Sequence, residues 1–305
     1  MREATRASDL DDIAASPEVD SASFLRCQVE GKPNGRPHCT ISTMKLFSPC
    51  MQCQVDNGRP NFAAFTLSPI PDDGVVETGC DAGHKTFIAI QQDRFELLSL
   101  HAVAAIADGY HREGVVSFAA SLERLYEYYV RAVMMVRGVR SPAIANFWRQ
   151  ANLSERQFGA FCLAHLLETE QPPTVLDATR IKFRNDVVHN GKFPTKEEAI
   201  AFGQAAADVA DPLLAHLRSA RFHDVIGLMT QERLKAGYAA ADAAEVRAST
   251  LSIGTPFSLV ITPSAKVDVA AAVQAYAERP DIEEAVTQGA ALERAIRAAQ
   301  VGKPG

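Results

Sequence analysis

The sequence predicts a mainly helical protein, a helical bundle with a small β-rich module before it and a small α+β region after it. Residues 114 to 136 place Phe118, Leu122, Leu125, Tyr129 and Val133 at spacings of three and four, the period of one buried helix face. Between residues 24 and 91, short apolar runs are broken by Asn-Gly, proline and aspartate, the pattern of short strands and turns. With 305 residues, 47% of them hydrophobic, the chain can bury one large core or two to three smaller ones without covalent staples.

Residues 1–22 are polar, acidic and aperiodic, which predicts a disordered tail. The β-rich module follows over 23–91. FLRCQVEG and HCTISTMKLF flank Asn34-Gly35, a hairpin signal because both turn residues tolerate positive φ. The module continues through SPCMQC, an apolar run from Phe62 to Leu67, a break at Pro69 to Asp73, and GVVETGCDAGHKTFIAI. The bundle is expected over 92–222, with helices at 94–111 and 114–136 as an antiparallel pair, then at 141–151, 154–168, 174–189 and from Thr195 to about 221. Ser154 with Gln157, and Thr195 with Glu198, have capping-box spacing. Over 223–305 we expect a helix to about 244, a β-like run RASTLSIGTPFSLVIT, and Ala-rich helices near 265–278 and 281–299, making a small appendage.

Thirty-one basic and thirty-seven acidic side chains give a net charge of −6, which excludes a chain coated in cation for indiscriminate nucleic-acid binding. Any polyanion site must be local. No apolar run reaches the 18 residues or so of a membrane span, and the N-terminal residues lack the apolar core of a secretory signal. The expectation is a soluble, cytoplasmic protein without a membrane partner.

Five of the six cysteines precede residue 81, too few for a disulfide scaffold and clustered as metal ligands are. Cys50-Met51-Gln52-Cys53 forms one knuckle, in which a two-residue gap lets two thiolates reach one ion. Cys80-Asp81-Ala82-Gly83-His84 forms a second, Gly83 permitting the turn that returns the imidazole toward the thiolate. The pattern predicts a zinc ribbon ligated by Cys50, Cys53, Cys80 and His84. Its zinc is structural, because four protein ligands leave no open position. The competing reading is a Cys50–Cys53 redox pair. Cys27 and Cys39 are expected as packed thiols on the hairpin, and Cys162 as a core residue.

The segment TRIKFRNDVVHNGKFPT carries the second constellation. On a helix, Leu176, Phe183 and Val187 share a buried row and Asp177, Arg180 and Arg184 the opposite polar row. Asn185 lies one turn before His189, where Asn190-Gly191 and Pro194 predict the helix end. Imidazole and guanidinium suit phosphodiester chemistry: the first moves protons near neutral pH, and the second holds phosphate charge. Spacing alone does not single this pair out, because Arg218 and His223 repeat it. A histidine at a helix C-terminus also complements the macrodipole.

RNDVVH, followed by Asn-Gly and a proline and preceded by FAASLERLYEYYVR on a long helix, resembles the HEPN superfamily of small helical bundles over about residues 92 to 222. The resemblance implies a HEPN-like bundle between the zinc ribbon and the α+β region. It further implies a metal-independent endoribonuclease of toxin or antiviral-defence type. In that family Arg and His of two protomers meet at a dimer interface, so Arg184, Asn185 and His189 would form the active-site trio, with Glu123 as an acidic helper. RNA is then the substrate, its 2′-hydroxyl the nucleophile. Other implied partners are a second copy of the chain and an antitoxin or regulatory protein. The alternative is a non-catalytic HEPN module that dimerises or binds nucleic acid.

Overall fold

The computed structural model describes residues 45–58, 61–66, 71, 73–80, 82–260 and 266–279. The expected N-terminal tail, the Asn34-Gly35 hairpin with Cys27 and Cys39, and the helix over 281–299 lie outside them. Among the described residues, strand β1 (Lys45–Cys50), helix α1 (Met51–Asn57) and strands β2 (Asn61–Thr66), β3 (Val75–Gly79) and β4 (Lys85–Ile90) come first. The bundle helices follow: α2 (Arg94–Ala107), α3 (His111–Val136), α4 (Ser141–Gln150), α5 (Ser154–Thr169), α6 (Ala178–Val188) and α7 (Lys196–Leu217). Helix α8 (His223–Ala243), strand β5 (Ala248–Leu251) and helix α9 (Val269–Ala277) come last among the described residues. The protein is mainly helical, as expected.

Helix α3 is the axis of the bundle. His101 Nδ1 meets Ser117 Oγ at 3.0 Å and Ser121 Oγ donates to the Phe95 carbonyl at 2.6 Å, so α2 runs antiparallel to it. All five expected face residues, Phe118, Leu122, Leu125, Tyr129 and Val133, are buried. On α5, Phe161 stacks on Tyr126 at 4.2 Å between ring centroids and meets Tyr129 edge-on. Helix α7 packs on another side, where His216 Nδ1 meets the Tyr129 hydroxyl at 2.9 Å. Thr195 and Glu198 form the expected capping box on α7. The other one does not form: α5 is capped at Leu153 without a side-chain bond, and Ser154 is its first helical residue. Helix α6 starts four residues later than expected. Asp177 is its N-cap, accepting from the Arg180 amide at 2.8 Å, because Pro172 and Pro173 keep the preceding chain extended.

The sheet departs most from expectation. β1 pairs antiparallel with β2 across α1, a helix in text that reads as strand and turn. β3 pairs antiparallel with β4, and β5 joins β4 in parallel. The bundle is thus inserted between two neighbouring strands, and the C-terminal segment is woven into the fold. Ser48 and Ser249 share a buried hydroxyl contact of 3.0 Å between the two sheets. The Gln92 carboxamide receives the Ile253 amide at 2.8 Å and donates to Ser252 at 3.1 Å, while Phe257, Val269 and Val273 join the bundle core.

Helix α8 crosses β4 so closely that a Cβ on Gly237 would stand 2.6 Å from the Cβ of Ala89. Helix propensity alone favours Gly237→Ala by roughly 1 kcal/mol. Overpacking against an atom fixed to the backbone costs about 1–3 kcal/mol and should win, lowering the melting temperature. A raised melting temperature would show that α8 can lift off the sheet.

Glu96, 2% exposed, accepts the Asp93 amide at 2.8 Å and the Leu259 amide at 2.9 Å, tying the start of α2 to the C-terminal segment. Burial pushes its carboxyl up to about 7, with nearby Asp93 adding to the rise against the opposing backbone bonds and Arg233. The folded state therefore holds this proton more tightly than the unfolded chain. The stability it contributes is complete below about pH 4.5 and is lost as pH rises through 7, by up to about 3 kcal/mol. Glu96→Gln should remove this slope. Denaturant unfolding of both proteins at pH 5 and pH 8 checks it, and a wild type–variant difference independent of pH would refute it.

Candidate functional site

The four expected metal ligands converge. The ligand atoms of Cys50, Cys53, Cys80 and His84 all lie within 4.8 Å of one another, a candidate metal-binding site. Cys50 ends β1 and caps α1, and Cys53 sits in the first turn of that helix, both buried. The other pair closes the β3–β4 hairpin, where the Gly83 amide donates to the Cys80 carbonyl at 2.9 Å and the Cys80 amide to the His84 carbonyl at 3.0 Å. Gly83 has φ +80°, with nothing within 4 Å of where a Cβ would stand. Backbone conformation, not space, therefore calls for glycine there.

The separations suit one tetrahedral ion. Cys53 and Cys80 sulfurs are 3.7 Å apart, and His84 Nδ1 lies 3.3 Å from Cys53 Sγ and 3.8 Å from Cys50 Sγ. Bonds of ~2.3 Å to sulfur and ~2.0 Å to nitrogen imply edges of about 3.8 Å between sulfurs and about 3.5 Å between sulfur and nitrogen. The other ring nitrogen of His84 is 3.4 Å from an Asp56 carboxylate oxygen, the outer-shell partner that orients a metal-bound imidazole. Burial raises the Cys80 thiol, yet backbone bonds from His84 and Ala82 and the Cys50 and Cys53 sulfurs outweigh it, leaving it below its ordinary value. That favours the thiolate a metal requires.

Among the Arg–His residues the structure brings three together. Arg184 Nη2 donates to Glu123 Oε1 on α3 at 2.8 Å, and its Nη1 to Asn185 Oδ1 at 3.1 Å. Arg184 is not presented freely to solvent, its side chain being 29% exposed. With Glu123 and Asn185 it borders a cavity of about 420 Å³, whose apolar wall includes Leu122, Tyr126, Phe158 and Ile181. His189 stands apart. It ends α6, its amide donating to the Asn185 carbonyl at 2.8 Å, and its exposed ring lies outside the cavity lining. Gly191, at φ +73°, turns the chain away just beyond.

Arg218 and His223 have separate environments. The Arg218 guanidinium clamps the Ser258 carbonyl at 2.9 and 3.1 Å, while His223 is exposed at the start of α8. Cys162 is half-buried against the bundle core. Sequence reasoning missed Asp56, whose place three residues after Cys53 was the available signal. Comparison with known proteins finds no matching family, no matching curated protein and no matching solved structure. Among the described residues no helix is long and apolar enough to cross a membrane.

Proposed function

We propose that the chain is a metal-independent endoribonuclease on a HEPN-like bundle, with structural zinc bound by Cys50, Cys53, Cys80 and His84. The observation that carries this reading is the Arg184 guanidinium, held by Glu123 and Asn185 at the mouth of a cavity, with exposed His189 ending the same helix. Two contacts leave donors of a five-donor group to meet a phosphate. His189 takes the proton of the ribose 2′-hydroxyl, that oxygen attacks the adjacent phosphorus, and the bond to the 5′-oxygen breaks as that oxygen takes a proton from water. The products are a 2′,3′-cyclic phosphate and a 5′-hydroxyl end. Arg184 holds the charge that builds on the non-bridging oxygens, and Asn185 orients the phosphate or the imidazole.

Because His189 is outside the lining of the Arg184 cavity, a second copy of the chain has to help assemble the site. Leu163, Leu166 and Leu167 form an exposed apolar row on α5, which supports a homodimer, since soluble proteins seldom leave such rows uncovered. A second reading, a non-catalytic RNA-binding module, is favoured by the ion pair that already neutralises Arg184. Incubating RNA with wild type, Arg184→Ala and His189→Ala, with and without EDTA, separates the two. Cyclic-phosphate ends from wild type alone support the nuclease. RNA binding without cleavage in any condition supports the module.

A further inference from the structure

A second groove lies on another face of α3. Two lobes, of about 530 and 660 Å³, share Asp93, Arg94, Arg124, Arg131 and Met229, a size common for small-ligand sites. Away from this junction the lobes differ. The first runs on to an apolar wall of Met135, Ile144, Ala145 and Trp148, and the second to Glu232 and Arg233. Thioethers beside an indole favour an aromatic guest, since sulfur makes good contacts with ring edges and rings pair with rings.

Carboxylates hold the junction in shape. Arg124 pairs with Glu127 at 2.9 Å, Arg131 with Glu232 at 2.7 Å, and Arg233 with Asp93. The lining carries four guanidinium groups against three carboxylates, those of Asp93, Glu127 and Glu232. One positive charge is left over, which a singly charged anion balances and a dianion exceeds. A guanidinium has five donors, so an ion pair leaves others for a second acceptor, and its planar fork matches the two oxygens of a carboxylate.

Two polar groups of the groove lack partners. The Tyr128 hydroxyl and Arg233 Nε are buried without a hydrogen bond among the described residues, and Tyr128, in the lining of the first lobe, is only 5% exposed. Burial pushes its phenol up, Asp93 and Glu96 adding to the rise and Arg233 and Arg131 opposing it, so the hydroxyl lies among the junction charges. A buried donor without an acceptor is costly and uncommon in folded proteins.

We infer that this groove binds a small aromatic carboxylic acid, its carboxylate at the Arg124–Arg131 junction accepting from the Tyr128 hydroxyl and its ring in the lobe of Met135, Ile144 and Trp148. Both parts of the ligand are needed. A bare anion leaves the apolar lobe empty, and a neutral aromatic leaves the extra positive charge unbalanced.

Trp148 is the single tryptophan of the chain, so its emission reports on the apolar lobe. Titrating the full chain with phenylpropionate should give a saturable change in emission, with calorimetry as a second readout, whereas acetate and phenylpropanol should each bind at least about tenfold more weakly. Tyr128→Phe should weaken the acid roughly ten- to hundredfold, the effect of losing a charged hydrogen bond. The same variant should leave the melting temperature of the ligand-free protein unchanged or higher, because it removes an unsatisfied buried hydroxyl. Arg131→Ala should weaken the acid to a similar degree, and circular dichroism confirms that each variant is folded. Several results would overturn the assignment: no saturable response to phenylpropionate, phenylacetate or benzoate, undiminished binding by the Arg124→Ala/Arg131→Ala double variant, or phenylpropanol binding as tightly as the acid. Phenyl phosphate binding more tightly than phenylpropionate would overturn it as well.

Discussion

Replacing Cys53 by serine is expected to abolish metal retention and to melt the β1–α1–β2 segment while the helical bundle stays folded. In this segment β1 and β2 form a two-stranded sheet, an arrangement marginal in water by itself. Two of the four ligands come from this segment and two from the β3–β4 hairpin, so an ion would join the two sheets. In small zinc modules the ion contributes ~10–16 kcal/mol of apparent folding free energy, more than the Ser48–Ser249 contact and the packing of Leu46 on the Val76–Ile88–Ile90 cluster would replace. Wild type should purify with one zinc per chain, and Cys53→Ser with none. Hydrogen exchange should then rise across residues 45–66, while α3 stays protected. Asp56→Asn should weaken zinc roughly ten- to hundredfold, as loss of an outer-shell partner does. Metal-free wild type with unchanged protection would remove zinc from the folding account. A reversible Cys50–Cys53 disulfide in that protein would restore the redox reading.

Arg184→Ala and His189→Ala should each lower RNA cleavage by about two to four orders of magnitude, the usual worth of a positioned proton-transfer group or a charge-stabilising donor. The two differ in one readout. Removing His189 should leave RNA binding intact while cleavage is lost, whereas Arg184→Ala should weaken RNA binding as well, because its guanidinium holds the phosphate. Glu123→Gln tests the clamp. If Glu123 only fixes the guanidinium, this variant should keep most of the activity, since the amide oxygen can still accept from Nη2. EDTA should not affect cleavage before zinc is extracted. Full activity of His189→Ala with intact cyclic-phosphate chemistry would assign proton transfer elsewhere.

Much of the architecture is legible along the chain because local rules and tertiary packing agree there. The buried face of α3 follows the three-and-four spacing of its apolar residues, and α7 begins at the Thr195–Glu198 capping box. Where they disagree, local reading fails. Ser154 and Gln157 have the spacing of a cap, but spacing does not fix which residue leaves helical geometry, and Leu153 takes that place. Helix α1 is only seven residues long, too short for periodicity to distinguish it from the surrounding strands.

The same division runs through the candidate sites. The metal ligands are readable because two of them share a single turn on each side, so spacing alone places them near one ion. Their convergence, and the approach of Asp56, needed the sheets. Spacing could also put Arg184 and His189 on one helix end, but only the packing of α6 against α3 gave Arg184 the Glu123 partner and left His189 outside the cavity. What the sequence by itself determined is whatever repeats within one or two turns of backbone: helix faces, caps and the two ligand knuckles. Tertiary structure alone decided the partnership of β4 with β5 and the groove gathered from α2, α3, α4 and α8. The physical reason is that such contacts join segments far apart in the chain, and no local period records which distant surface a side chain will meet.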